Sequence, residues 1–111
     1  MNISFKTDLG RFNFRVAALI IKNNRLLIHT LKNSSFYLLP GGRVDVGEDS
    51  ETSLLRELKE ELKINASIDS LLWVSEGFFT HNAERFHELG YYYSVQCTTP
   101  NSILEKDSFE I

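Results

Sequence analysis

Apolar and polar positions first alternate and then merge in RFNFRVAALII, where Phe12, Phe14 and Val16 lead into a continuous apolar run ending at Ile21. That pattern predicts a strand running into a buried sheet. KNNR follows and marks a turn, because asparagine tolerates positive φ. LLIHTL predicts a second strand, so residues 12–31 read as a hairpin in which His29 faces solvent or a neighbour. FYLL predicts a short strand that PGG ends. EDSETSLLRELKEELKI predicts a helix, with Asp49 or Ser50 as its N-cap. SIDSLLWVSEGFFT and FHELGYYYSVQCTT predict two long aromatic strands, and the polar HNAER joins them as a hairpin. After Pro100 the pattern weakens into a loop or a frayed end. The order of strands, one helix, then strands predicts a mixed α/β sandwich and not a regular βαβ repeat.

The predicted helix has two unlike faces. With Glu57 set at zero, Glu61 lies near +40° and Glu60 near −60°, at about 100° per residue. Leu54, Leu58, Leu62 and Leu55 fall at roughly +60°, +100°, +140° and +160° on the same scale. The leucines form a stripe that packs on a sheet. The adjacent face gathers three carboxylates. Arg56 with Glu60, and Lys63 with Glu60, are helical ion pairs worth only about 0.2–0.5 kcal/mol each, and the like-charged Glu57 and Glu61 cost a similar amount. Taken alone, this face reads as solvated charge. The segment before it, LPGGRVDVGEDS, adds a second reading. Gly41, Gly42 and Gly47 let a backbone approach a ligand closely. A glycine loop bending along the helix aims a main-chain carbonyl at the point the carboxylates face. Oxygen donors in that number suit a hard cation, Mg²⁺ or Mn²⁺, which shares itself with phosphate oxygens.

Composition narrows the classes. A chain of 111 residues with 42% hydrophobic and 24% charged residues suggests one globular domain. The formal net charge of −3 argues against a nucleic acid polymer or an anionic membrane as partner. VAALII is far too short to span a membrane. The start, MNISFKTDLG, lacks the apolar core of a signal peptide. Cys97 is the single cysteine, so no internal disulfide forms, which fits a cytoplasmic location.

From Gly42 the chain reads glycine, five residues, Glu48, seven residues, then Arg56, Glu57, Leu58, Lys59, Glu60 and Glu61. This resembles the Nudix box, G-x5-E-x7-R-E-U-x-E-E-x-G-U with U bulky and aliphatic, the signature of the Nudix hydrolases. Lys63 replaces the family glycine, and Ile64 fills the last aliphatic position. FYLLPGG and GFFTHNAERFHELGYYYSV are also similar to family segments, so the likeness covers roughly residues 12–97. It implies a Nudix-type α/β/α sandwich with a mixed sheet. The family's C-terminal helix is not found in the sequence. Either a partner covers that face or the natural chain continues past Ile111. Continuation is the expectation, with the 111 residues forming a single Nudix-like domain truncated at its C-terminus. Oligomeric state stays open, with a homodimer among the options.

The resemblance implies a divalent cation, Mg²⁺ or Mn²⁺, held by Glu57, Glu60 and Glu61, with the Gly41 carbonyl completing the site. It implies that Arg56 orients Glu57, that Glu48 braces the loop against the helix, and that Gly42 sets the loop's geometry. The general base is Glu57 or a later glutamate, with Glu84, Glu88 and Glu105 as candidates. The implied activity is hydrolysis of a nucleoside diphosphate-linked small molecule. The alternative is a Nudix-like module that binds a nucleotide or protein without hydrolysis, although such modules are expected to have lost metal-binding glutamates. Lys63 is expected in the left-handed conformation at the helix end, at a cost on the order of 1 kcal/mol, unless the helix ends differently. Trp73 and the strand aromatics Phe78, Phe79 and Tyr91 to Tyr93 are expected in the core. His81 and His87 are expected at the surface, and Cys97 as buried and inert.

Overall fold

The computed structural model describes residues 1–30 and 35–98. Strand β2 (Gly10–Leu19) is the centre of the sheet. Along one edge it pairs antiparallel with β1 (Ser4–Thr7) and, further on, with β5 (Gly41–Arg43). Along its other edge it pairs parallel with β7 (Glu84–Cys97), which in turn pairs antiparallel with β6 (Ala66–His81). The order is β1-β2-β7-β6, with β5 also beside β2. The sheet is therefore mixed, as the resemblance implies.

Two turns set the connections. Asn23 and Asn24 have φ of 54° and 61° and join β3 (Ile21–Lys22) to β4 (Arg25–Leu26) in a separate two-stranded ribbon. Asn82 and Ala83, at 51° and 62°, join β6 to β7. Positive φ at both central residues matches the right-handed twist of the flanking strands.

Helix α1 (Ser50–Leu62) starts at Asp49, whose side chain accepts a 2.8 Å hydrogen bond from the Thr52 amide. That bond satisfies one of the unpaired donors of the first turn. Its leucine stripe packs as the spacing predicts. Leu54, Leu58 and Leu62 are buried with Val16, Ala18, Ile20, Val44, Ile64, Tyr93 and Val95. The register explains which strand residues take part, because Val16 lies opposite Tyr91 and Ala18 opposite Tyr93. Even positions of β2 and odd positions of β7 thus face the helix. The Ser50 and Tyr93 hydroxyls, 2.6 Å apart, fasten the first turn to β7.

Four sequence expectations need correction. LLIHTL does not form a full strand. Pairing stops at Leu26 and resumes only as a single bridge between His29 and Leu38, which is also all that remains of the strand expected in FYLL. SFKT forms β1, although its polar pattern gave no strand signal. Trp73, Phe78 and Phe79 are exposed, because β6 is an edge strand that α1 does not cover. Cys97 is half-buried, and burial raises its thiol pKa. The segment after Pro100 lies outside the described residues, as does Leu31.

Lys63 adopts φ 57° and ψ 32° and donates its amide to the Lys59 carbonyl at 3.1 Å, so it occupies the left-handed position where glycine is favoured. Its Nζ donates to the Glu60 carbonyl at 2.8 Å. Lys63→Gly removes the Cβ penalty and is expected to raise stability by about 1 kcal/mol, offset in part by the lost Nζ contact. Urea denaturation of both proteins checks this through an upward shift of the midpoint at constant slope.

Candidate functional site

The glycine loop runs from Leu39 into β5, with the Pro40 carbonyl accepting from the Ala18 amide at 2.9 Å. Gly41 is fixed by space, because a Cβ there would overlap the Val16 carbonyl oxygen. Gly42 has a different reason. A Cβ there would lie 2.5 Å from Glu57 Cδ and 2.7 Å from its Oε2. Gly42 therefore supplies clearance for the Glu57 carboxylate and sits in a regular strand, not at a turn. One turn of α1 and one edge of β5 are brought together by the absence of one methyl group.

Arg56 organises the carboxylates around this contact. Its Nε donates to Glu48 Oε2 at 3.1 Å and its Nη2 to Glu48 Oε1 at 3.0 Å, a forked pairing. Its Nη1 donates to Glu57 Oε1 at 3.1 Å and to Glu60 Oε2 at 3.4 Å. Asp45 Oδ2 lies 3.5 Å from Nη2. Glu48 also accepts from the Ser53 hydroxyl at 2.6 Å, so the loop is held to the first turns of the helix. The Arg56 and Ser53 hydrogen bonds hold the Glu48 carboxyl below the usual range. The same contacts, led by Glu48, raise the already high pKa of Arg56.

Glu57 and Glu61 behave in the opposite way. Burial pushes the Glu57 carboxyl up against the pull of Arg56. Burial also pushes Glu61 up, with Arg15 opposing and Glu60 adding to the rise. Both groups hold negative charge at a cost, which a nearby cation would relieve. Among the described residues, no three carboxylate, histidine or cysteine side chains converge on one point. Glu57 and Glu60 instead lean toward Arg56. The donor set nevertheless fits a hard cation: carboxylates share one helix face, Glu57 lies against Gly42, and Arg56 is hydrogen-bonded to only one Glu57 oxygen.

Two residues without a sequence signal border the site. Arg15 Nη2 donates to the Leu39 carbonyl at 2.9 Å. His29 bridges Leu38 through paired backbone bonds of 2.8 and 2.7 Å. Burial and then Arg15 lower its pKa, against a hydrogen bond to the Leu39 backbone. The His29 Nε2 is buried without a partner. Arg15 and His29 thus grip the loop just before the glycines. Arg15 also lies directly opposite Arg43, a like-charged pair that no linear pattern reveals. Asp45, next to Val44, was likewise not singled out.

The later glutamates lie elsewhere. Glu84 pairs with Arg11 at 3.3 Å, and Glu88 accepts from Asn13 at 3.4 Å. The β7 register puts both on the sheet face away from α1. Glu105 lies outside the described residues. No helix among the described residues is long and apolar enough to cross a membrane.

A glycine-bordered carboxylate helix on a mixed sheet defines a recognisable class. A family model described as the NUDIX domain matches residues 12–111, and the chain belongs to the Nudix family. It is 40% identical to the ADP-ribose pyrophosphatase of Methanocaldococcus jannaschii over 62% of this chain and 46% of that protein. It is 36% identical to a provisional 8-oxo-dGTP diphosphatase of Bacillus subtilis over 48% of this chain and 36% of that one. The chain thus spans less than half the length of these curated relatives. The crystal structure of a UDP-X diphosphatase shares the fold, with a TM-score of 0.63 and 20% identity over 78% of this chain and 42% of that one.

The Glu48 clamp has a pH signature. A carboxyl with a lowered folded pKa contributes stability that is full above its unfolded pKa and is lost as pH falls through the folded value. Glu48→Gln should therefore be less stable than the parent by a constant margin above about pH 5, and that margin should shrink below about pH 4. Paired urea titrations across this range check it.

Proposed function

We propose that this chain hydrolyses the pyrophosphate bond of a nucleoside diphosphate derivative, with Mg²⁺ or Mn²⁺ held by Glu57, Glu60, Glu61 and the Gly41 carbonyl. The observation that carries the reading is the seat of the Glu57 carboxylate on Gly42, within a carboxylate face that belongs to a Nudix chain. When bound, a divalent cation offsets the charge of the diphosphate and lowers the pKa of a coordinated water. The protein's part is positioning. Arg56 holds Glu57 by one oxygen and leaves the other for ligation or for orienting a water. Glu48 and Ser53 fix Arg56 and the loop together. In this reading Glu57 also serves as the general base, since Glu84 and Glu88 lie on the other sheet face.

ADP-ribose, the compound in the name of the relative from M. jannaschii, is the first substrate to test, with 8-oxo-dGTP second. The reading is of a small-molecule substrate and a cytoplasmic protein. The three intact glutamates separate it from a module that only binds nucleotide.

Turnover on a panel of nucleoside diphosphate derivatives with Mg²⁺ or Mn²⁺, scored as released mononucleotide, tests the assignment. Glu57→Gln is expected to lower kcat by about 10²–10⁴-fold while leaving the metal-free protein folded. Gly42→Ala is the sharper variant. Its methyl group meets the movable end of Glu57, so stability should change little while turnover drops on the order of 10²-fold. Full turnover in both variants would leave the site without a role.

Cation binding is measurable without substrate. Mg²⁺ at ten times its Kd should stabilise the folded chain by about 1.4 kcal/mol, a rise of several °C in Tm for a domain of this size. Glu57→Gln should lose most of that rise. A melting temperature unmoved by millimolar Mg²⁺ and Mn²⁺ would count against the site.

A further inference from the structure

Strand β6 (Ala66–His81) is 16 residues long and pairs only with β7, so its other edge has no strand beside it among the described residues. Proteins protect such edges with lysine, proline, shortness or bulges. The β6 sequence, ASIDSLLWVSEGFFTH, contains no lysine, arginine or proline. Its register irregularities lie between Ile68 and Ser70 and between Leu71 and Trp73, and from Trp73 to His81 the ladder is regular.

The turn fixes which groups face outward. A two-residue turn makes His81 and Glu84 the closing hydrogen-bonded pair. Alternation then leaves the N–H and C=O groups of Val74, Glu76, Phe78 and Thr80 pointing away from β7. Exposure fits an edge more than a bare face. Trp73 and Val74 point to opposite faces, yet they are 46% and 48% exposed. With Phe78 at 72% and Phe79 at 44%, the three aromatics alone expose roughly 300 Å², taking about 200 Å² for each ring. Leu71, Leu72, Val74 and the open backbone add to this. The total approaches the ~800 Å² per partner of a standard stable interface.

We propose that a second copy of this chain docks here, its β6 pairing antiparallel with this one to form a two-fold homodimer with a continuous sheet. Antiparallel pairing of identical strands is self-complementary and closed, so both exposed edges disappear at once. Charge restricts the register. An axis through Glu76 would set two carboxylates opposite each other, which is unfavourable. Registers that place Glu76 against Phe78 or Val74 of the second copy avoid this and bury the aromatics.

Sedimentation velocity on the 111-residue chain at up to about 100 μM should show a dimer. Phe78→Pro removes an outward N–H and leaves the β6–β7 ladder intact, so it should give a monomer with an unchanged far-UV spectrum. The double variant Val74→Lys with Phe78→Lys keeps every backbone donor and decides the matter if the proline variant does not fold. It should weaken the dimer by about 100-fold or more. A parent chain that stays monomeric throughout this range overturns the proposal, as does a dimer that the lysine variant leaves intact.

Discussion

The forked pairing of Arg56 with Glu48 is the interaction on which the arrangement of the site depends. It joins a loop residue to the second turn of the helix, and its remaining donors reach Glu57 and Glu60. Without that guanidinium, Asp45, Glu48, Glu57 and Glu60 would be four carboxylates around one point. With it, two of them become fixed neighbours of Gly42 and the loop. A charge-assisted fork is stronger and more directional than a lone lysine contact, so lysine at this position would not hold the same geometry.

A second constraint acts through absent atoms. Gly41 and Gly42 sit in adjacent positions of one short strand but exclude side chains for different reasons. One lies against the backbone of β2, and the other against a carboxylate of α1. Together they bring the sheet edge and the helix face closer than ordinary residues permit. The leucine stripe fixes the helix height, and the glycines let the carboxylate side come down onto β5.

The local parts of this design were legible in the sequence. A 3.6-residue period places Leu54, Leu58 and Leu62 without knowledge of the sheet, and Asp49 announces the first turn. The positive φ of Asn23 and Asn24 follows from residue type. What depended on partners was not legible. SFKT becomes a strand only because β2 offers an edge, and LLIHTL fails to extend because the chain leaves its neighbour after Leu26. Alternation in β6 is equally consistent with a central or an edge strand, so Trp73 and Phe78 read as core when they are exposed. Arg15 and His29 carry no motif. Their shared grip on the Leu39 carbonyl exists only after a bridge forms between His29 and Leu38.

The balance of charge explains why a site so well held is not at rest. Arg56 is hydrogen-bonded mainly to Glu48, whose carboxyl is lowered, and it reaches Glu57 and Glu60 with what remains. Glu57 and Glu61 are left with burial as the dominant influence, and both are raised. One cation cannot satisfy carboxylates spread over two turns of helix. The protein has used it to fix position and left the charge of the far carboxylates uncompensated. That division of labour separates the residues that build the platform, Glu48, Arg56 and Ser53, from those whose charge awaits a partner, Glu57 and Glu61. An anionic diphosphate would deepen the imbalance on its own. In the proposed reaction, therefore, the carboxylates favour metal before or together with substrate, and the order follows from the electrostatics of this chain alone.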